Sequence, residues 1–273
     1  MKYAWFVKNG KLRSDDRLKN LLAGLERGGA AVYEVSEASD VLPGTDALLS
    51  FGGDGTFLSA AGIAVPADIP IIGVNLGRLG FLSENKPEDV LSALLDGRCS
   101  LERREMLTVS VDTLSGGDFW PFALNEAALM RSGASMLGVD VRIDGTDLPT
   151  YWADGLIVAT SSGSTAYSLS VGGPICTPEA GVFIVAPISP HNLNVRPLIV
   201  PASSEIVISP HSREESVGFS LDNRNYVIPA GSSLRIRAAR ECLKRLRPDG
   251  ADFFNALRHR LLWGEDLRNS NDR

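Results

Sequence analysis

The sequence has 273 residues, enough for one large domain or two modest domains that each bury a core. Lys and Arg number 27 against 33 Asp and Glu, and the net charge of −6 argues against a broad nucleic-acid or anionic-membrane surface. Its 3 cysteines form no Cys-x-x-Cys pair, which argues against a disulfide framework or zinc site and fits a reducing compartment. Because no apolar run approaches membrane-spanning length, we expect a cytoplasmic protein.

The first hundred residues alternate between strand and helix signals. Short apolar runs predict strands at Lys2–Lys8, Ala31–Val35, Ala47–Phe51 and Ile69–Val74. Leucines at helical spacing follow a capping sequence at residues 14–16, and Pro87 opens a further helix. This alternation is typical of a parallel, doubly wound sheet, in which ligands bind outside the carboxyl ends of the strands.

The pattern changes near Leu101, where short β-rich runs begin and continue to about Arg240; they include the predicted strands Phe119–Leu129, Gly155–Thr160 and Leu234–Arg237. Turn signals separate these runs, among them Ser115-Gly116-Gly117, Asp144-Gly145 and Asp222-Asn223. We therefore predict an α/β N-terminal doubly wound domain plus an antiparallel β-sandwich-like C-terminal domain. Residues 251–263 return to helical period, and we expect this final helix to pack back on the first domain. The predicted domains are residues 1–100 with about 244–273, and residues 101–243.

A glycine-rich turn, Gly52-Gly53-Asp54-Gly55-Thr56, follows the third predicted strand and leads into a helix. Glycines let consecutive N–H groups point at an anion, and the start of the helix adds its positive end. No Lys-Ser or Lys-Thr follows, so this is not a P-loop of the Walker type. An isolated Gly-Gly-X-Gly favours a tight strand-to-helix connection bearing a solvated Asp54, but the full string behind an apolar strand shifts the balance towards an anion site.

A second glycine loop, residues 75–83, places Gly73, Gly77 and Gly80 around Arg78. Backbone amides and one guanidinium group could bind a phosphate here. For Arg78 alone, a solvated side chain after a strand is an equally good interpretation.

Two further stretches carry polar residues in apolar surroundings. Asn125 and Glu126 need an internal hydrogen-bond network or a polar ligand if they are buried, whereas an edge-strand turn would leave both in water. The stretch Asp154–Pro174 runs from a strand into small, hydroxyl-bearing residues that could wrap a polar ligand, with Tyr167 able to stack on a base. A Ser/Gly surface loop is the alternative.

Taken together, these motifs resemble a known family. The Gly-Gly-Asp-Gly-Thr string resembles the signature shared by NAD kinases, diacylglycerol and sphingosine kinases and, more distantly, phosphofructokinases. Asp154-Gly155, the stretch Gly163–Ser170 and Gly172-Gly173-Pro174 resemble the NAD kinase pattern in order and spacing. The resemblance extends from about Ala47 to Asp222 and points to the bacterial type of NAD kinase.

That resemblance implies transfer of the γ-phosphate of ATP to the 2′-hydroxyl of the adenosine ribose of NAD, with Asp54 as general base. It implies Mg²⁺ arriving with ATP and a homodimer or homotetramer. Asp154 would contact the nicotinamide side, with Gly53 and Arg78 near phosphate. The remaining substrate-binding residues implied are Gly55, Asn125, Glu126, Ser162, Thr165, Ala166, Tyr167, Ser168, Leu169, Ser170 and Arg224.

The sequence departs from the family pattern in three places. Ser59 stands where many members carry a basic residue, Ser161-Ser162 where many carry Pro-Thr, and Trp152 where others place Lys or Arg. These departures leave open whether ATP or polyphosphate is the phosphoryl donor. The sequence also leaves open whether NAD or NADH is the preferred acceptor. His191 is either structural or close to the substrate, and the scattered histidines do not suggest a metal triad.

Two other functions are compatible with part of the same sequence. A lipid kinase would share the first motif, and an apolar acceptor tunnel or a basic membrane patch would favour it, but the net charge of −6 does not. A non-catalytic dinucleotide sensor would most simply lack an acidic residue at position 54, but this sequence has Asp54.

Overall fold

The computed structural model describes residues 1–77, 80–114, 119–250 and 252–263. The chain divides into two compact units. Unit 1 comprises Met1–Arg103 and the chain from Lys244 onward, and unit 2 comprises Arg104–Leu243. Within the described ranges, no helix is long and apolar enough to cross a membrane.

Unit 1 alternates strands and helices, as the hydrophobic spacing predicts. In chain order its first elements are β1 (Lys2–Phe6), α1 (Asp16–Arg27), β2 (Ala31–Glu34), β3 (Ala47–Phe51), α2 (Asp54–Ala64), β4 (Ile71–Val74) and α3 (Pro87–Leu95). The strands pair in parallel in the order β4-β3-β1-β2. The core of unit 1 is formed by the leucines of α1 together with Leu49 and Phe51 of β3 and Ile72 of β4. The glycine-rich turn therefore lies at the carboxyl end of a central, fully buried strand.

The remaining elements are mostly short strands. They are β5 (Cys99–Val111), β6 (Phe122–Ala123), β7 (Glu126–Arg131), β8 (Leu137–Ile143), β9 (Thr146–Asp147), β10 (Tyr151–Ala153), β11 (Gly155–Thr160), α4 (Tyr167–Ser170), β12 (Val182–Ile188), β13 (Leu198–Pro201), β14 (Ile206–His211), β15 (Ser216–Leu221), β16 (Arg224–Pro229), β17 (Leu234–Pro248) and α5 (Phe253–Leu261). The unit boundary falls inside β5 and β17, and α5 belongs to unit 1.

Unit 2 is built from two antiparallel layers. Six strands pair in the order β13-β12-β11-β7-β15-β16, and β10, β8, β14 and β17 follow one another in the other layer. Leu129 and Val158 from the first layer share one hydrophobic core with Val141 and Ile208 from the second. The predicted sandwich is confirmed, as are the α/β fold of unit 1 and the place of the final helix in that unit.

Local turn chemistry accounts for several boundaries. Asp144 and Gly145 both have positive φ, 49° and 83°, and join β8 to β9 as the tight hairpin that their sequence predicts. The predicted run 119–129 instead divides into β6 and β7. It divides because the amides of residues 124–126 donate to the carboxylate of Asp222. The predicted turn at 115–117 lies outside the described residues.

Candidate functional site

Asp54 begins α2 and its carboxylate holds the second glycine loop. Phe81 N donates to Oδ2 at 2.8 Å, while Leu82 N and Ser83 N donate to Oδ1 at 3.0 and 2.9 Å. A carboxylate has about four acceptor positions, so the described residues leave one unoccupied on Oδ2. A Cβ on Gly80 would overlap this carboxylate, which explains the need for glycine there. The interpretation of Asp54 as a merely solvated turn residue is therefore wrong.

The loop that meets Asp54 is fixed by buried amide side chains. Asn75 Oδ1 accepts from Gly77 N at 2.7 Å, and Asn75 Nδ2 donates to Ser83 O at 3.0 Å. Asn85 Nδ2 donates to Gly73 O at 2.9 Å. Arg78 lies outside the described residues. On the other side of Asp54, Gly53 and Gly55 expose the start of α2, where backbone N–H groups and the helix dipole favour an anion.

In unit 2, Asn125 and Glu126 are buried at the start of the central strand β7, with 7% and 8% exposure. The amides of Leu124, Asn125 and Glu126 donate to the Asp222 carboxylate at 2.9, 2.8 and 3.2 Å. Asp222 has a φ of 51° in the turn between β15 and β16. The alternative of an edge-strand turn with both residues in water is therefore wrong.

Glu126 is a carboxyl group in an environment that disfavours its charge. Burial, followed by the negative charge of Asp222, raises the pKa of Glu126 to about 8, against a hydrogen bond from the Tyr167 amide. Its Oε2 has no hydrogen-bond partner among the described residues. At neutral pH the group is therefore largely protonated and can donate a hydrogen bond as well as accept one.

The loop after β11 packs directly on the start of β7. Thr160 Oγ1 donates to Leu124 O at 2.5 Å and accepts from Gly163 N at 3.1 Å, and Thr160 N donates to Asn125 O at 2.8 Å. A Cβ on Gly163 would overlap the Asn125 carbonyl. Gly163 and Ser164 are buried, so the stretch is not simply a surface loop.

The predicted residues that follow in this loop differ in exposure. Ser168 is buried and its Oγ has no partner among the described residues. Ser162 Oγ accepts from Arg104 Nη1 at 3.4 Å, and Tyr167 is 37% exposed. The other predicted binding residues of this loop are partly or fully exposed to solvent: Thr165, Ala166, Leu169 and Ser170. Unit 2 thus groups Asn125, Glu126 and this loop.

Asp154 and Arg224 each have a charged or aromatic neighbour. Asp154 Oδ1 lies 2.7 Å from Arg131 Nε. Arg224 donates to Phe122 O, and its Cζ lies 4.4 Å from the centroid of a Trp120 ring. The pKa of Arg224 is lowered overall, because the effect of burial exceeds the opposing effect of the negative charge of Asp222.

Sequence reasoning missed the amide-binding carboxylate of Asp222 and the stacking of Trp120 on Arg224. The Asp222-Asn223 signal indicated a turn, but nothing in it identifies the amides that the side chain binds. His191 is exposed and its amide donates to Trp152 O at 2.8 Å.

A group of three or more His, Cys, Asp or Glu side chains able to hold a metal ion does not occur among the described residues. These residues do not form a protein cage for Mg²⁺, which prefers several oxygen ligands and often uses substrate phosphates and water.

Comparison with known proteins assigns the family. A profile of the ATP-NAD kinase N-terminal domain matches residues 31–97, and one of the ATP-NAD kinase C-terminal domain matches residues 124–247. The chain is similar to the NAD kinase of Flavobacterium psychrophilum, with 38% identity over 239 residues, 86% of this chain and 81% of the relative.

Solved structures agree with this assignment. An NAD kinase from Archaeoglobus fulgidus in complex with ATP has a TM-score of 0.74 and 28% identity, covering 91% of this chain and 94% of that one. Yeast NADH kinase complexed with NADH shares the fold, with a TM-score of 0.86 and 23% identity, covering 98% and 89%. The fold and motifs are those of a nucleotide-dependent kinase. The chain belongs to the NAD kinase family, and the predicted enzyme class, an ATP-dependent NAD kinase, is confirmed.

Proposed function

We propose that this enzyme transfers the γ-phosphate of ATP to the 2′-hydroxyl of the adenosine ribose of NAD, giving NADP and ADP. The observation that carries the proposal is the setting of Asp54 beside an exposed, glycine-rich helix start. Three backbone N–H groups fix its carboxylate, and one acceptor position on Oδ2 is left over.

In this mechanism Asp54 acts as general base. The bond from the ribose oxygen to the γ-phosphorus forms as the bridging bond between the β- and γ-phosphates breaks, and Asp54 accepts the hydroxyl proton. The N–H groups around Gly53 and Gly55 stabilise negative charge on the phosphates. Mg²⁺ is expected to enter with ATP, held by phosphate oxygens and water.

Unit 2 supplies the site for the dinucleotide in this proposal, and unit 1 the site for nucleotide phosphates. Asn125, protonated Glu126 and the hydroxyls of the loop at 162–170 offer both donors and acceptors to adenine and ribose. Tyr167 is exposed enough to stack on a base. Asp154, positioned by Arg131, is assigned to the nicotinamide side, and Arg224 to the nucleotide.

Two expectations about the protein in the cell remain predictions. Its cysteine usage and its lack of an apolar run of membrane-spanning length predict a cytoplasmic protein. The family resemblance predicts a homodimer or homotetramer.

A panel of donors and acceptors tests the proposed reaction. Purified protein with Mg-ATP should convert NAD to NADP, and parallel reactions with NADH and with polyphosphate define which acceptor and donor it prefers. Diacylglycerol and sphingosine should remain unphosphorylated. Phosphorylated lipid without NADP would overturn the proposal, and NAD binding without any phosphorylation would indicate a sensor.

A further inference from the structure

The final helix α5 carries two arginines in contrasting surroundings. The side chain of Arg260 is 9% exposed, whereas Arg258, two positions earlier, is exposed. Arginine is rarely buried unless it is paired or binds something. The helix is fixed at its start, where Asp252 caps Asn255 N at 2.7 Å, and Leu257 is buried. α5 therefore presents one cation, Arg260, to the interior of unit 1.

Arg260 contacts the same turn that binds Asp54. Its Cζ lies 4.8 Å from the centroid of the Phe81 ring, and Phe81 N is a donor to Asp54. Its Nη2 lies 3.7 Å from Oε2 of Glu84. A second arginine holds the turn as well, since Arg245 Nη2 donates to Leu82 O at 3.1 Å and to Glu84 Oε1 at 2.6 Å. Residues 81–84 are thus bound by Asp54 and by a pair of arginines.

The charges around Glu84 are unequal. Arg245, Arg247 and Arg260 all lie within 4 Å of Glu84 oxygens, and Glu102 is the second carboxylate near Arg245 and Arg247. Among the described residues, this ion-pair cluster therefore joins three arginines to two glutamates. The pKa of Arg260 is lowered overall, because the effect of burial exceeds the opposing effect of the negative charges of Glu84 and then Asp54.

We propose that Arg260 is a positioning residue for the phosphoryl transfer: by covering Phe81 and pairing with Glu84, it holds the 81–83 amides where they fix the Asp54 carboxylate. This inference rests on the proposed function for its catalytic consequence, but the placement of the turn can be tested without it. Arg260 makes no contact with a reacting group and acts mainly by holding the turn.

The test compares Arg260→Met with Arg258→Met, the same substitution at the exposed arginine of the same helix. In Arg260→Met, hydrogen exchange at the amides of Phe81, Leu82 and Ser83 should become faster, and kcat for NADP formation should fall roughly 10- to 100-fold, the scale of a misplaced catalytic group. KM for NAD should stay unchanged. Arg258→Met should match the wild type in all three measurements.

A double-mutant cycle with Asp54→Asn separates positioning from general destabilisation. If Arg260 acts through Asp54, adding Arg260→Met to Asp54→Asn should cause little further loss of kcat. Should Arg260→Met fail to fold, Arg260→Lys, which keeps the charge but loses the planar contact with Phe81, carries the same measurements with smaller effects. Unchanged exchange at residues 81–83, or a full additional loss in the Asp54→Asn background, would overturn the inference. If the wild type makes no NADP, the proposed function is wrong. The hydrogen-exchange data alone then decide whether Arg260 holds the amides of residues 81–83 in place.

Discussion

Asp54 and Asp222 use their carboxylates in the same way, each accepting hydrogen bonds from three consecutive backbone amides. Each aspartate therefore fixes a segment distant in sequence. Asparagine does not reproduce this arrangement, because its NH₂ group would face an N–H donor. An unsatisfied buried donor costs about 1–3 kcal/mol. Asp54 thus has a structural task beside its proposed chemical one, and Asp54→Asn does not simply preserve the shape of the turn.

Gly80→Ala displaces the Asp54 carboxylate without changing its chemistry. The added Cβ would overlap the carboxylate, so either Asp54 or the turn must move. We expect kcat for NADP formation to fall roughly 100-fold, as for a catalytic group misplaced by about 1 Å. Steady-state kinetics on the folded variant measure this.

Gly62→Ala is the matched control, because a Cβ at this α2 position meets no atom within 4 Å. It should leave kcat unchanged and raise the free energy of unfolding by about 0.5–1 kcal/mol. Equal kcat values for Gly80→Ala and Gly62→Ala would mean that the position of the Asp54 carboxylate does not matter to the reaction.

Glu126 should make stability depend on pH. Its pKa in the folded protein is about 8, above the ordinary value of 4.5, so between these values the folded state binds more protons than the unfolded state. The contribution of Glu126 to the free energy of unfolding is therefore fully present below 4.5 and is lost as the pH rises towards about 8. The slope approaches about 1.4 kcal/mol per pH unit.

Glu126→Gln resembles the protonated side chain and cannot ionise. Urea unfolding across this pH range should show a flatter dependence in Glu126→Gln than in the wild type. Parallel curves for the two proteins would show that Glu126 does not titrate in this window.

At the scale of elements, local patterns predicted the strands that flank the site better than the long ones. β3 and β11 have the predicted bounds, because each is a short apolar run ended by glycine or hydroxyl residues. β17 extends from Leu234 to Pro248, far beyond the predicted 234–237. Arginines occur along the whole strand, and the buried Arg245 pairs with glutamates far away in sequence. No local pattern reveals such partners.

Gly163→Ala should disturb the packing of the β11 loop on β7. A Cβ at Gly163 would overlap the Asn125 carbonyl, so Asn125 and Glu126 must shift. We expect calorimetric NAD affinity to fall roughly 10-fold, about the effect of losing one good hydrogen bond to a ligand.

Gly218→Ala in β15 is the matched control, since its Cβ would make only an ordinary contact 3.5 Å from Met130 O. It should bind NAD as the wild type does. If Gly163→Ala also binds NAD normally, the start of β7 is not part of the dinucleotide site.

At the scale of the whole molecule, the fold class and the residue groups could be predicted because each motif is contiguous in sequence. Asp54 and the loop at 162–170 were found in this way. The carboxylate–amide contacts and the arginine cluster around Glu84 could not be found, since they join residues separated by 27 to 176 positions. In the local sequence pattern, these charged side chains cannot be distinguished from solvent-exposed ones.

The assembly state is a further whole-molecule prediction. The family resemblance predicts a homodimer or homotetramer. Light scattering at the protein concentration of the kinetic assay should give two or four times the chain mass of 29.2 kDa. A fully active protein with the mass of one chain would contradict this prediction.

Whether Asp54 is the general base of NAD phosphorylation is tested by the initial rate of NADP formation from NAD and Mg-ATP. The rate is measured for the wild type and for Asp54→Asn at equal concentrations of folded protein. An NADP-specific dehydrogenase detects only product that carries the 2′-phosphate. The wild type should form NADP, and Asp54→Asn should do so at least roughly 100-fold more slowly, the scale expected for loss of a general base. Calorimetric NAD affinity should persist in the variant. Absence of NADP from the wild-type reaction, or a variant rate within a few-fold of the wild-type rate, would contradict the account.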